Sequence, residues 1–329
     1  MPELSVLLCT YNSRQYLPDA VNSVLRSEGV DLELILVNDG STDGTEEYTN
    51  SIRDSRVKVI HLDENRGIAE AANVGLRHCS TKYIARMDSD DLCSPDRLKA
   101  QLEFLEAHPE FDVVCTKVEL TDADFRQDGY KLYVDWCNGL MTHELMYAHR
   151  YRDSPIVNPS ACYRKSAIDR FGDYKTGVPE DYEFWLRLFE GGVKMAKLDR
   201  VGLVWRDHSH RLTRNHSDYS DSAFSEVKLD YLRREWASRF ENRPVYIWGK
   251  SRNARDWHMR LTESGLPVAG FVDFTSGTWK GLPLLSIDEG LKLKGAFFLI
   301  TVRNRVGGPL IQEALEERGM EAGEDFYFM

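Results

Sequence analysis

The chain has 329 residues, 42% apolar and 29% charged, a composition that excludes a largely disordered protein and predicts one large domain with a smaller one. Its 42 basic and 53 acidic side chains leave a net charge of −11, so the basic patches of a nucleic-acid binder are not expected. No apolar run reaches the roughly 18 residues of a membrane-spanning helix.

The first residues, MPELSVLLCTYN, carry no basic leader and read as an opening strand over 5–9, interrupted by Thr10-Tyr11-Asn12. Leu17, Ala20, Val21, Val24 and Leu25 then share one helical face. A second strand over 32–37 closes in the turn Asn38-Asp39-Gly40-Ser41, and Thr42 or Asp43 can cap a short helix. A third strand over 57–62 ends in Asp63-Glu64-Asn65-Arg66-Gly67, after which Ile68, Ala71, Ala72, Gly75 and Leu76 mark a closely packed helix. A fourth strand over 83–87 ends in Asp88-Ser89-Asp90-Asp91, and Pro95 starts the next helix. This alternation predicts a mostly parallel, three-layer α/β sheet, whose ligands bind at the carboxyl ends of strands. All four polar interruptions fall at those ends, so four loops converge on one edge.

Strands follow near 113–120 and 160–164. A helix over 180–190 turns Tyr182, Trp185, Leu186 and Phe189 inward, and a longer helix covers 219–239. From residue 244 a second α/β pattern begins: strands over 245–248, 268–272, 297–301 and 326–328, with helices over 255–264 and 309–319. It predicts a small Rossmann-like unit. The six cysteines, Cys9, Cys79, Cys93, Cys115, Cys137 and Cys162, form no C-x-x-C pair and read as reduced core thiols of a cytoplasmic protein, without a zinc tetrad.

Four groupings carry chemistry. The carboxylates of Asp88, Asp90 and Asp91 repel one another unless a cation lies between them; they suit Mg2+ or Mn2+, or else a solvated helix-capping turn. Glu180-Asp181 at a helix start reads either as a cap or as a general base, and one residue can be both. Arg206, His208, His210, Arg211 and Arg214 cluster in an otherwise acidic stretch, as a diphosphate clamp or as a basic surface loop. Gly249-Lys250-Ser251-Arg252-Asn253-Ala254 is a degraded dinucleotide turn, with Asp273 standing 24 residues beyond Gly249; a structural or oligomerisation role competes with NAD binding there.

The segments SVLLCTYNSRQYLPDAVNSVL, LELILVNDGSTDGT, ENRGIAEAANVGL, YIARMDSDDLCSPDRLKAQLEFL, GVPEDYEFWLRL and VWRDHSHRLTR, in this order, resemble the family 2 glycosyltransferases of the GT-A fold. The resemblance covers about two-thirds of the chain. It implies a GT-A domain over 1–218; the patterns that follow give a linking helix over 219–240 and the Rossmann-like domain over 241–329. It implies that Thr10, Tyr11 and Asn12 border the base and ribose, that Asp39 hydrogen-bonds the base, and that Asn65, Arg66 and Gly67 line the nucleotide pocket. Asp88 would lie near the ribose and Asp90 would bind the metal, Mn2+ or Mg2+. Asp181 would be the catalytic base, with Glu180 and Trp185 orienting the acceptor. His208, Arg211 and Thr213 would close over the diphosphate.

The implied reaction is an inverting, metal-dependent transfer of one sugar from a nucleoside-diphosphate sugar, a UDP-sugar by preference, to a glycan or lipid-linked acceptor in surface polysaccharide synthesis. The Q-x-x-R-W element of processive synthases is absent. The expected setting is the cytoplasm, with peripheral association at the inner face of a membrane and a homodimer left open. The competing readings are a nucleotidyltransferase-type enzyme, which would release pyrophosphate, and a non-catalytic nucleotide-sugar scaffold.

Overall fold

A computed structural model describes residues 1–122, 128–209, 211–240, 243–302 and 307–329. They form two units, one of Met1–Met146 with Pro155–Phe224 and one of Tyr147–Ser154 with Ser225–Met329. The first runs β1 (Leu4–Thr10), α1 (Leu17–Leu25), β2 (Leu32–Asp39), α2 (Thr45–Ser51), β3 (Val57–Leu62), α3 (Ile68–His78), β4 (Tyr83–Asp88), β5 (Leu92–Cys93), α4 (Arg97–Ala107), β6 (Val113–Asp122), α5 (Asp128–Gly139), α6 (His143–Ala148), β7 (Ala161–Arg164), α7 (Lys165–Phe171), α8 (Glu180–Glu190), β8 (Met195–Asp207) and α9 (Leu212–Asn215). α6 ends in the second unit, and α10 (Asp221–Arg239) follows and continues into it.

β1 is buried along its whole length, as expected for a central strand with helices on both faces. Its neighbours are β2 and β4, both parallel to it, with Thr10 opposite Asn38 and Cys9 opposite Asp88. That register sets the carboxyl ends of three strands side by side. α3 packs so closely here that a Cβ on Gly75 would stand 2.2 Å from Leu7 Cδ1 and 3.0 Å from Val37 Cγ2.

The sheet order is β3-β2-β1-β4-β7-β6-β8-β5. The expectation of a mostly parallel sheet holds for β3, β2, β1 and β4 and for the β6–β8 pair, but not at the three remaining junctions. There β7 runs antiparallel to both β4 and β6, and β5 antiparallel to β8. A short apolar strand buried on both faces looks the same in either direction, so its sequence does not declare its sense. The two-residue β5 pairs Leu92 with Val204 and thereby draws the Asp88–Asp91 turn against the end of β8.

The second unit contains β9 (Val245–Trp248), α11 (Arg252–Glu263), β10 (Gly270–Asp273), β11 (Gly277–Trp279), β12 (Leu282–Ser286), α12 (Ile287–Gly290), β13 (Phe297–Ile300), α13 (Gly307–Glu316) and β14 (Phe326–Phe328). The order is β11-β12-β10-β9-β13-β14, parallel from β12 to β14. Starting at β9, the chain winds outward to one side and then to the other, the Rossmann pattern. Tyr147–Ser154 belongs to this unit. Arg150 lies over the rings of Tyr147, Tyr151 and Tyr327, at 3.7, 4.6 and 4.7 Å, and is bonded to Glu235 at 2.8 Å. A buried guanidinium so matched is held by charge, ring faces and hydrogen bonds together.

All six cysteines are free and buried. Among the described residues, no helix is long and apolar enough to cross a membrane.

Candidate active site

The loops after β1 and β2 are tied to each other. Asn12 takes a left-handed backbone conformation (φ 47°), accepts from the Thr42 amide at 2.7 Å and donates its own amide to Ser41 Oγ at 2.9 Å. Thr10 is buried, and its hydroxyl has no hydrogen-bond partner among the described residues. Tyr11 is 46% exposed. Asp39, expected to meet a base, already accepts the amides of Arg66 at 2.8 Å and Gly67 at 2.9 Å on separate oxygens. Burial raises its pKa, and the two amides offset only part of that rise. It therefore fixes the 65–67 loop, while each oxygen keeps a lone pair for another donor. Asn65 and Arg66 are exposed, and Asn65 passes so near Gly40 (φ 67°) that a Cβ there would meet its amide nitrogen at 2.7 Å.

At the end of β4, ligand oxygens of Asp88, Asp90 and Asp91 lie within 4.8 Å of one another. This is not a solvated turn. Asp91 is fully buried, and the Asp90 and Asp88 side chains are 19% and 28% exposed. Burial, then the neighbouring Asp90 charge, lifts Asp91 well above the ordinary carboxyl range. Burial also lifts Asp88, against the pull of Arg86. Asp90 goes the other way. The Arg211 charge and the His208 hydrogen bond outweigh its burial and hold it low. Asp91 Oδ2 is buried without a hydrogen-bond partner among the described residues. Three convergent carboxylates with one orphaned oxygen make an oxygen-only donor set that fits a hard divalent cation.

The end of β8 closes this cluster. The Arg206 amide donates to Asp91 at 3.0 Å, and the Arg206 guanidinium reaches the Asp90 carbonyl and the Tyr16 carbonyl. His208 Nε2 meets Asp90 at 2.9 Å, its ring stacked on Tyr16 at 4.6 Å. Arg211 lies 3.8 Å from Asp91 and over the Trp205 ring at 4.3 Å. Thr213 is exposed, and its hydroxyl is 3.3 Å from Tyr130 of α5. His210 is outside the described residues.

Glu180 and Asp181 open α8 after Pro179. The Asp181 carboxylate accepts the Tyr182 amide at 2.7 Å, and helix-start amides favour negative charge there. Glu180 is buried, and burial with the adjacent Asp181 charge pushes its pKa up to about 8. Trp185 is fully buried beside Phe184, with ring centroids 5.2 Å apart, and presents no surface to a ligand. Its place is in the core that fixes α8.

Sequence reasoning missed Arg86. It is buried in β4, donates to the Leu7 carbonyl at 3.1 Å and stands 3.7 Å from Asp88. Its charge lowers the pKa of Asp88 and, more weakly, that of Glu180. The signal was available: an arginine inside the apolar run YIARMD must find partners if the strand is buried.

A family model described as glycosyl transferase family 2 matches residues 5–172. The putative glycosyltransferase EpsE of Bacillus subtilis is 32% identical over 228 residues, covering 67% of this chain and 78% of that protein. An Escherichia coli UDP-Gal:alpha-D-GlcNAc-diphosphoundecaprenol beta-1,3-galactosyltransferase is 27% identical over 70% of this chain and 82% of its own length. The structure of Staphylococcus aureus TarS 1-349 with UDP-GlcNAc superposes with a TM-score of 0.55 at 19% identity, over 71% of this chain and 73% of that one, a likeness of fold. The chain belongs to glycosyl transferase family 2 and is a glycosyltransferase of the GT-A fold.

Proposed function

We propose that this glycosyltransferase moves one sugar from a nucleoside-diphosphate sugar, a UDP-sugar by preference, to a hydroxyl of a lipid-linked glycan in surface polysaccharide synthesis, with inversion at the anomeric carbon. The observation that carries the reading is the Asp88-Asp90-Asp91 cluster at the sheet edge, with Arg211 and His208 closing it and Asp181 at the start of α8. The lipid-linked acceptor is supported by the Escherichia coli relative, whose name specifies a diphosphoundecaprenol-linked GlcNAc. Work on such an acceptor would bring the protein to the cytoplasmic face of a membrane as a peripheral protein.

Asp181 takes the proton of the acceptor hydroxyl. The freed oxygen pair forms the new bond to the anomeric carbon from the face opposite the nucleotide. The bond from that carbon to the diphosphate oxygen breaks, and the nucleoside diphosphate leaves with its electron pair. Arg211 and His208 supply charge and hydrogen bonds to the departing group. Asp90, with Asp88 beside it, would hold Mn2+ or Mg2+, whose positive charge offsets that of the diphosphate when bound. Thr10 and Asn12, with the 65–67 loop fixed by Asp39, would flank the nucleoside.

Thermal unfolding of the purified protein with UDP, GDP, dTDP, CMP and NAD, each with Mn2+ and then EDTA, tests this. A nucleoside diphosphate at a hundred times its Kd stabilises by about 2.7 kcal/mol, or roughly 5–10 °C. The expected result is such a rise with UDP and Mn2+, removed by EDTA and absent in Asp90→Asn. A rise with NAD alone would overturn the reading and move the ligand site to the second unit.

A further inference from the structure

Among the described residues no cation is bonded to Glu180, and its carboxyl is held by a hydroxyl from a distant part of the chain. The Tyr219 hydroxyl donates to Glu180 Oε2. Tyr219 ends the short 3₁₀ turn Ser217–Tyr219, a few residues beyond the segment that brings His208 and Arg211 to the aspartate cluster. The His216 ring stands edge-on to it, 6.4 Å away. Among the described residues, the charged and titratable groups acting on Glu180 include Asp181 from its own helix, Arg86 from β4, Tyr174 from the loop before α8, and Tyr219 itself.

We propose that Tyr219 is a positioning residue: by donating to Oε2 it fixes the Glu180 carboxyl, leaving Oε1 to carry that group's proton and to donate it in a hydrogen bond to the acceptor hydroxyl beside Asp181. The inference rests on Asp181 being the base. Burial and the Asp181 charge keep Glu180 mostly protonated near neutral pH, and burial with the Glu180 and Asp181 charges holds the Tyr219 hydroxyl far above its ordinary range, so it stays a donor. The acceptor oxygen would then receive one proton bond from Glu180 and give its own proton to Asp181. Glu180 keeps its proton throughout, so the only proton transferred is the acceptor's. The arrangement selects one lone-pair direction for attack, which is orientation rather than acid–base catalysis.

Steady-state kinetics of the full-length Tyr219→Phe and Glu180→Gln enzymes, with donor and acceptor varied separately across pH, test this. Tyr219→Phe should raise the acceptor KM by roughly tenfold, the scale of one hydrogen bond, with the donor KM within about twofold. It should also move the alkaline fall of kcat/KM to higher pH, because the lost bond favoured the ionised carboxyl. Glu180→Gln keeps both a donor and an acceptor atom; it should lose less than about tenfold in kcat and lose the fall near pH 8. An unchanged acceptor KM and alkaline limb in Tyr219→Phe would overturn the inference alone, as would a Glu180→Gln enzyme as inactive as Asp181→Asn. Full turnover in Asp181→Asn would overturn the base assignment and this inference with it.

Discussion

Asp39→Asn is nearly isosteric and should nevertheless be costly. The Asp39 carboxylate accepts one backbone amide on each oxygen, Arg66 at 2.8 Å and Gly67 at 2.9 Å. A carboxamide has one oxygen, so one of these amides must face an NH2 group, donor against donor. Hydrogen bonds to charged groups contribute about 1.5–3 kcal/mol each. Burial already works against the Asp39 charge, so the lower part of that range applies, and we expect a loss of about 2 kcal/mol. For a unit of this size that is a fall of roughly 4–8 °C in Tm. The variant should also bind UDP more weakly, since the 65–67 loop would lose its tie to β2. Urea unfolding and calorimetric titration with UDP and Mn2+ read the two effects. A Tm within about 1 °C of the wild type, with unchanged UDP affinity, would refute the assignment of Asp39 as the residue that fixes the loop.

Asp181→Asn should lower kcat by about 10²–10⁴-fold while calorimetry shows donor binding little changed. The second unit should lose stability in acid through His149. Its ring stacks on Phe328 at 5.5 Å, and burial with the Arg152 charge pushes its pKa down to about 4. The unfolded chain takes up that proton first, near pH 6.5, so stability is full above that pH and falls by about 3 kcal/mol as pH drops from 6.5 to 4. His149→Phe should flatten this acid slope in urea titrations; an unaltered slope would assign it to other groups. Gly75→Val should cost about 1–3 kcal/mol by driving α3 off Leu7 and Val37, and an unchanged Tm would mean the helix has room to shift.

Much of the site could be read in the sequence because its carriers are short buried strands ending in polar turns. Thr10, Asn12, Asp39, Asp88 and Asp90 all lie at strand ends that the parallel register sets side by side. Tyr219 was not readable. It meets a carboxyl 39 residues away, and no periodicity links a turn to a helix start at that distance. Tyr147–Ser154 carries no local signal for the unit it joins, since its partners Glu235 and Tyr327 come from α10 and β14. The β11–β12 hairpin does carry a local signal. Its two-residue turn, Lys280-Gly281, takes φ of 54° and 78°, and a glycine second in such a pair marks this turn type.

The most direct measurement is product analysis by mass spectrometry after incubating the protein with Mn2+, a panel of UDP-sugars and GlcNAc-diphosphoundecaprenol. One sugar should be added to the lipid and one UDP released per transfer, with both stopped by EDTA and by Asp181→Asn. Release of pyrophosphate, or no sugar transferred from any nucleoside-diphosphate donor, would contradict the proposed reaction.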